Sequence, residues 1–314
     1  MSHPPYPLRL NKAIDRFTLI ETIRKLERIS ALSEYTYYSF GGPYLEDFRL
    51  LHEFCPEIRM VSIEEKPQTL LQQKFHLISK KLELREISLS AFLAEYDADN
   101  KKSIFWLDYT KLSLSEIEEF QSLLGKVAIN SIIKITLQAM PRDYNGSKAS
   151  KFREQFSAYM PDPSIDPPPL TEDYATLLQD MLQIASQRIY PANGEVVFQP
   201  LTSFYYADGT TMFTLTGIVC KRIDRKNIRS IFKSWDCSNL DWGRPKEINV
   251  PFLSTKERFH LQKHLPLKNN SGKRLYSALG YTLDGKDDPD ATIDMLKQYA
   301  RYYRYYPYFV KAEP

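Results

Sequence analysis

Three short clusters in the first 110 residues carry residue types suited to holding a nucleoside, and each closes an apolar run. Gly41-Gly42 follow the β-branched and aromatic stretch EYTYYSFGG (34–42). Where a ligand lies over the end of a strand, glycine removes the Cβ that would keep backbone and ligand apart. Only 11 of the 314 residues are glycine, about half the usual ~7%, so the adjacent pair stands out. Glu64-Glu65 end the next run, IRMVSIEE (58–65), and a carboxylate there can accept hydrogen bonds from both hydroxyls of a ribose. Asp108-Tyr109 lie near the end of a third, KSIFWLDYT (102–110). There a carboxylate can hold an ammonium group or take a proton from an acceptor hydroxyl, and the tyrosine ring can face a cation. Solvated strand ends and tight turns use the same residue types, so each cluster alone is weak; their succession is what argues for a site.

Weaker candidates flank these. Ser88 and Ser90 follow the run between the second and third clusters, where a hydroxyl can approach a base. Arg9 and Lys12, with Arg16, precede the first run and can pair with a ligand carboxylate or serve as a solvated helix face. The glycine pair is no GxGxxG, which removes support for a dinucleotide. His260 and His264 stand four apart in HLQKH but lack the glutamate of a zinc-protease helix, and Cys55, Cys220 and Cys237 form no CxxC. No metal site and no disulfide framework are expected.

Those clusters need strands to carry them, and the chain supplies an alternation. Residues 11–30 place Ile14, Phe17, Ile23 and Leu26 near helical spacing. A strand, glycine turn and helix follow to Phe54, then a second strand and a helix from Gln68 to about Lys80. LELREISLS (82–90) reads as a third strand and AFLAEY as a short helix. The strand KSIFWLDYT leads to the helix SLSEIEEFQSLLG, with Ser113 or Ser115 as cap, and VAINSIIKITLQA (127–139) gives a fifth strand. Strands and helices in this order predict a doubly wound, mainly parallel α/β sheet. Residues 141–171 are polar and proline-rich, expected to form a lid or exposed connection, before a helix through Tyr190. GEVVFQPLTSFYYADGTTMFTLTGIVCKR (194–222) then predicts an antiparallel hairpin turning at Ala207-Asp208-Gly209. A parallel sheet that ends in such a hairpin is the Rossmann-like pattern of class I S-adenosylmethionine methyltransferases. The expected organisation is a domain over residues 1–224 and a C-terminal extension over 225–314 packed on it.

With 42 basic against 39 acidic side chains, a net charge of +3, and 43% hydrophobic residues, the composition is that of a globular chain and names no partner. Charges such as Lys134 interrupt every long apolar run, so no membrane span is expected, and residues 1–16 lack the apolar core of a secretory signal. A cytoplasmic location is the expectation. Beyond residue 223, STKERFHLQKHL suggests a short helix, NNSGKR and LDGKDDPD suggest turns, and ATIDMLKQYARYYRYYPYF suggests a terminal helix. Its basic and aromatic residues are interleaved as on a nucleic-acid surface, but Tyr299, Tyr302, Tyr303 and Tyr306 also follow the i, i+3, i+4, i+7 pattern of a helix docking one face, which is the favoured reading.

The order LRLNKAIDR, YTYYSFGGPYLEDFRLLHEF, MVSIEE, QQKFH, SIFWLDYT and IIKITLQA resembles a family of bacterial O-methyltransferases of class I fold, often found in defence or mobile gene neighbourhoods. GGPYLEDF, SIEE and WLDY are the most specific parts. The resemblance implies S-adenosyl-L-methionine as cofactor and adds weight to Arg9, Lys12, Gly41, Gly42, Glu64, Asp108 and Tyr109. It departs at His76, where an asparagine is expected after Phe75, and in its short glycine turn. Three functions follow as expectations. The first is methyl transfer to an unknown acceptor, with Gly41, Gly42, Glu64, Glu65, Ser88, Asp108, Arg9 and Lys12 holding the cofactor and Asp108 and Tyr109 acting on the acceptor. The second is a catalytically inactive methyltransferase-like binding or regulatory module that serves a partner protein or senses a nucleotide, with bacterial defence as its setting. The third is RNA or DNA methylation through the basic-aromatic tail.

Overall fold

Strand β4, Lys102–Asp108, has side chains buried on both faces at five consecutive positions, the mark of a central strand in a sheet covered on both sides. The computed structural model describes residues 9–141, 146–267, 269, 271–283 and 287–307. In it helix α1 (Leu10–Lys25) leads to β1 (Tyr35–Ser39), α2 (Glu46–Phe54), β2 (Arg59–Glu64), α3 (Pro67–Phe75), β3 (Leu82–Glu86) and α4 (Leu89–Glu95). After β4 come α5 (Leu114–Leu124), β5 (Ile132–Gln138), α6 (Ser147–Phe156), α7 (Thr171–Ile189), β6 (Val196–Asp208), β7 (Thr210–Lys221) and α8 (Arg225–Phe232).

The strands lie in the order β3-β2-β1-β4-β5-β7-β6. The first four pairings are parallel, and β7 joins β5 antiparallel. Chain order reverses on either side of β1, so β1 and β4 enclose a topological switch point. Alternation along β4 divides the core. Phe105 and Leu107 pack with Ile133, Ile135, Phe120 and Leu178 on one face, while Ile104 and Trp106 pack with Tyr37, Phe48, Ile23 and Phe232 on the other. Lys134, whose charge interrupts the β5 run, is wholly buried, with its ammonium 5.0 Å from the centre of the Trp106 ring. No helix among the described residues is long and apolar enough to cross a membrane.

The chain resolves into two compact units. One comprises Leu19–Tyr205 and Thr210–Lys246; the other comprises the described residues of Met1–Thr18, Tyr206–Gly209 and Glu247–Pro314. Residue 224, where the sequence suggests a division, lies inside the first unit, immediately before α8. The second unit contains α9 (Thr255–Gln262), opened by a capping box between Ser254 and Glu257, then α10 (Ser271–Leu279) and α11 (Pro289–Tyr302).

Two expectations are corrected. The proline-rich stretch after β5 contains helix α6, whose Ala149, Phe152 and Phe156 are buried; these small and aromatic residues three and four apart form a helical face within a polar segment. Ser271, in the NNSGKR stretch read as a turn, begins α10. Along the terminal helix Tyr299, Tyr302 and Tyr306 are buried. Within its unit the Tyr306 hydroxyl donates to the Pro251 carbonyl (3.0 Å) and accepts from the Leu253 N–H (2.9 Å), which is the docked arrangement.

Candidate functional site

Parallel register fixes which residues share the carboxyl edge. Ser39 of β1 pairs with Ser62 of β2 on one side and Trp106 of β4 on the other. Two residues further along each chain stand Gly41, Glu64 and Asp108. Adjacent strands are about 4.8 Å apart, so the ends bearing Glu64 and Asp108 flank β1 at a separation of roughly 10 Å.

The glycine turn is bent tightly. Gly41 and Gly42 have φ of 70° and 54°, and Leu45 also lies in the left-handed region at 54°. This conformation is easy for glycine and costly for leucine. The Leu45 N–H donates to the Gly41 carbonyl at 3.0 Å, closing the turn. A Cβ on Gly41 would lie 2.7 Å from Phe48 Cε2 and 2.8 Å from Leu45 Cδ2, so the side chains of the turn and of α2 occupy the space directly against it.

A residue that periodicity alone does not flag holds this turn. Gln73 of α3 is fully buried, and its Nε2 donates to the carbonyls of both Phe40 and Gly42 at 2.9 Å. Its Oε1 accepts from the Ser62 hydroxyl at 2.9 Å, which also lies 3.3 Å from the Phe40 carbonyl. One amide thus ties α3, the end of β2 and the glycine turn together. Its spacing of three from buried Leu70 is the only sequence signal, and in the polar run QQKF that is faint.

Glu64 is half-buried at the end of β2. Its Oε1 accepts from the Lys66 N–H at 2.9 Å, and the Glu65 N–H also bears on the carboxylate. Burial raises its carboxyl above the ordinary 4.5, opposed by the Lys66 N–H and ammonium. Glu65, the next residue, is exposed. Ser88 is the N-cap of α4, its Oγ accepting from the Ala91 N–H at 3.2 Å and lying 3.2 Å from the Ser90 hydroxyl; capping accounts for a serine here.

Asp108 is half-buried and close enough to Tyr37 for its charge to help raise that phenol, after burial and the adjacent Asp47. The Tyr109 hydroxyl donates to Glu119 Oε2 at 2.5 Å. Burial and Glu119 together push this phenol far above its ordinary value, and its proton is directed at Glu119. What Tyr109 presents is its ring, 5.5 Å from that of Phe40. Sequence reading missed Glu119, on α5, which this bond joins to Tyr109 at the strand edge.

Arg9 and Lys12 belong to the other unit. There the Asp208 carboxylate, from the turn of the β6–β7 hairpin, accepts from the Asn11 N–H (3.1 Å) and the Lys12 N–H (2.7 Å). It acts as an N-cap for α1 supplied from a distant part of the chain. Lys12 is buried and Arg9 half-buried. No group of His, Cys, Asp and Glu able to hold a metal occurs among the described residues.

Set against known proteins, the chain is matched over residues 4–314 by the profile of a family described as "Putative O-methyltransferase". Trm1 from Pyrococcus horikoshii, solved with S-adenosyl-L-methionine, is similar at 9% identity and a TM-score of 0.47 over 70% of this chain, which spans 59% of the Trm1 chain. A SAM-dependent methyltransferase from Aquifex aeolicus is similar at 11% identity and a TM-score of 0.41, over 69% of this chain and 94% of its own. A search of curated proteins found no match.

Proposed function

We infer the reaction from one premise: the chain belongs to the O-methyltransferase family whose profile it matches over residues 4–314. The reading that follows is an S-adenosylmethionine-dependent methyltransferase whose cofactor lies over the carboxyl ends of β1, β2 and β4. When bound, S-adenosylmethionine supplies a sulfonium methyl whose carbon–sulfur bond breaks as the bond to the acceptor oxygen forms, the electron pair staying on sulfur.

The observation that carries the reading is Glu64. It stands half-buried at the carboxyl end of β2 with its Oε1 anchored by the Lys66 N–H, the place in this fold where a carboxylate accepts from a ribose diol. The Gly41-Gly42 turn, held by Gln73, is the backbone that the methionine portion approaches. Asp108 takes the ammonium group or, when an acceptor hydroxyl gives up its proton, receives it. The Tyr109 ring faces the cation, its hydroxyl being fixed by Glu119. Glu65 and Ser88 stand at the rim. Methyl transfer is an in-line displacement governed by approach and alignment, which suits a site with few titrating groups. A cytoplasmic location and a role in bacterial defence belong to the same reading.

Loading tests it. Purified protein incubated with S-adenosylmethionine, freed of excess by gel filtration and denatured should release the cofactor in near-equimolar amount by mass spectrometry. Protein that stays nucleoside-free after loading at millimolar concentration contradicts the reading.

A further inference from the structure

One cleft in the larger unit lies beside the edge just described and is used by none of its residues. It has a volume of about 230 Å³ and is lined by residues that include Gln138, Met140, Lys148, Lys151, Phe152 and Tyr174. Register places it. Thr136 of β5 pairs with Asp108 of β4, so Gln138 stands two residues beyond that pair on the carboxyl side, while Leu112, also in the lining, follows Asp108 by four residues. The cleft therefore opens at the edge that carries Asp108, one strand further from Glu64.

Its lining has two kinds of surface. Phe152 and Tyr174 are buried and aromatic, and Met140 is 45% exposed, a large apolar side chain left uncovered. On the rim Lys148 and Lys151 stand three apart on α6, on the same side as Phe152 and Gln155, as their common presence in the lining requires. Neither lysine engages a carboxylate among the described residues. The neighbouring Arg153 is held away, pairing with Asp166 at 2.9 Å and donating to the Ser164 carbonyl at 3.2 Å. None of the described lining residues is acidic. Buried aromatic side chains beside two cations, with no acidic residue in the described lining, suit a flat aromatic body bearing negative charge. The volume is below the roughly 300–1,000 Å³ typical of drug-sized ligands, which limits that body to one or two rings.

We propose that this cleft takes the methyl acceptor, and that the acceptor is a small hydroxylated arene carrying a carboxylate, its ring on Phe152 and Tyr174 and its anionic group between Lys148 and Lys151. The proposal rests on the methyltransferase reading above. In the transfer the acceptor oxygen bonds to the methyl carbon as the carbon–sulfur bond breaks, and its proton passes to Asp108 or to water.

Calorimetry on the full chain with 2-naphthoate and 2-naphthylmethylamine tests it. The expected result is saturable binding of the carboxylate at least tenfold tighter than the amine, with the order reversed in the Lys148→Glu/Lys151→Glu double variant. Both positions are exposed, and an unchanged circular-dichroism melt establishes that the variant folds. Absence of saturation by 2-naphthoate at millimolar concentration, equal affinity for the two probes, or a preference untouched by charge reversal would each overturn the proposal. S-adenosylhomocysteine is titrated into the native protein separately. Naphthoate selectivity without nucleoside binding removes the methyltransferase reading and keeps an anion-selective cleft, whereas nucleoside binding without naphthoate selectivity removes this proposal alone.

Discussion

The side-chain amide of Gln73 donates to the Gly42 carbonyl at 2.9 Å from a fully buried position on α3. The same nitrogen serves Phe40, so the glycine turn is fixed from outside its own segment. The geometry proposed for the cofactor depends on that bond, because a two-glycine turn unsupported by packing has many conformations open to it.

Replacing Gln73 with leucine keeps the volume and removes every polar partner. Two part-buried carbonyls and the buried Ser62 hydroxyl then lose these hydrogen bonds, at about 1–3 kcal/mol for each group that finds no substitute. With partial rescue of Ser62 by Phe40, the net loss should be about 2–4 kcal/mol in urea unfolding. A variant within experimental error of the native protein would mean that the turn holds itself.

Gly41→Ala meets two obstacles at once. The residue has φ of 70°, costing an L-residue roughly 1–2 kcal/mol, and its Cβ would sit 2.7 Å from Phe48 Cε2, adding about 1–3 kcal/mol of overpacking. The Gly41→Ala/Phe48→Leu pair should recover part of the second cost and none of the first. Thermal melts of both variants separate the two contributions.

Glu64 predicts a pH dependence whose sign follows from burial. Its carboxyl is raised above 4.5, so the ionised form is less favourable in the folded chain. This disfavours folding increasingly as pH rises from the ordinary value through the raised one. A ligand that binds the carboxylate competes with the proton. Affinity for S-adenosylhomocysteine should be level near neutrality and fall as pH drops into the range just above 4.5, approaching tenfold per pH unit once the carboxyl is mostly protonated. Glu64→Gln should abolish this acid limb and make the ligand-free protein more stable at pH 7. An acid limb that survives the substitution would assign the titration to another group.

Tyr109→Phe distinguishes ring from hydroxyl. The phenol is already bonded to Glu119, so its loss should cost about 1 kcal/mol of stability and leave cofactor affinity within a fewfold of native. Tyr109→Leu, which removes the ring, should weaken binding further. A tenfold or larger loss in the phenylalanine variant would give the hydroxyl a direct part.

Much of this was legible in the chain before its structure. The runs ending at Gly42, Glu64 and Asp108 read correctly as strands because each is rich in β-branched, aromatic or aliphatic residues and stops in glycine or carboxylates, and the hairpin turning at Gly209 follows from β-rich runs on either side of a turn signal. Helix α6 was hidden because Pro161, Pro163 and Pro167–Pro169 dominate the composition of its neighbourhood, while its buried face consists of only Ala149, Phe152 and Phe156. Gln73 and Glu119 were hidden for a different reason. A polar side chain that turns inward to satisfy a distant backbone or phenol has the same sequence signature as one that faces water, and only the partner's position distinguishes them.

The central claim, that the ends of β1, β2 and β4 form one nucleoside site, is tested most directly by calorimetric titration of S-adenosylhomocysteine into native protein and into Glu64→Ala. One-to-one binding to the native chain, weakened at least tenfold in a variant that melts normally, is the predicted result. No heat of binding from the native protein at millimolar ligand, or equal affinity in the two proteins, would contradict it.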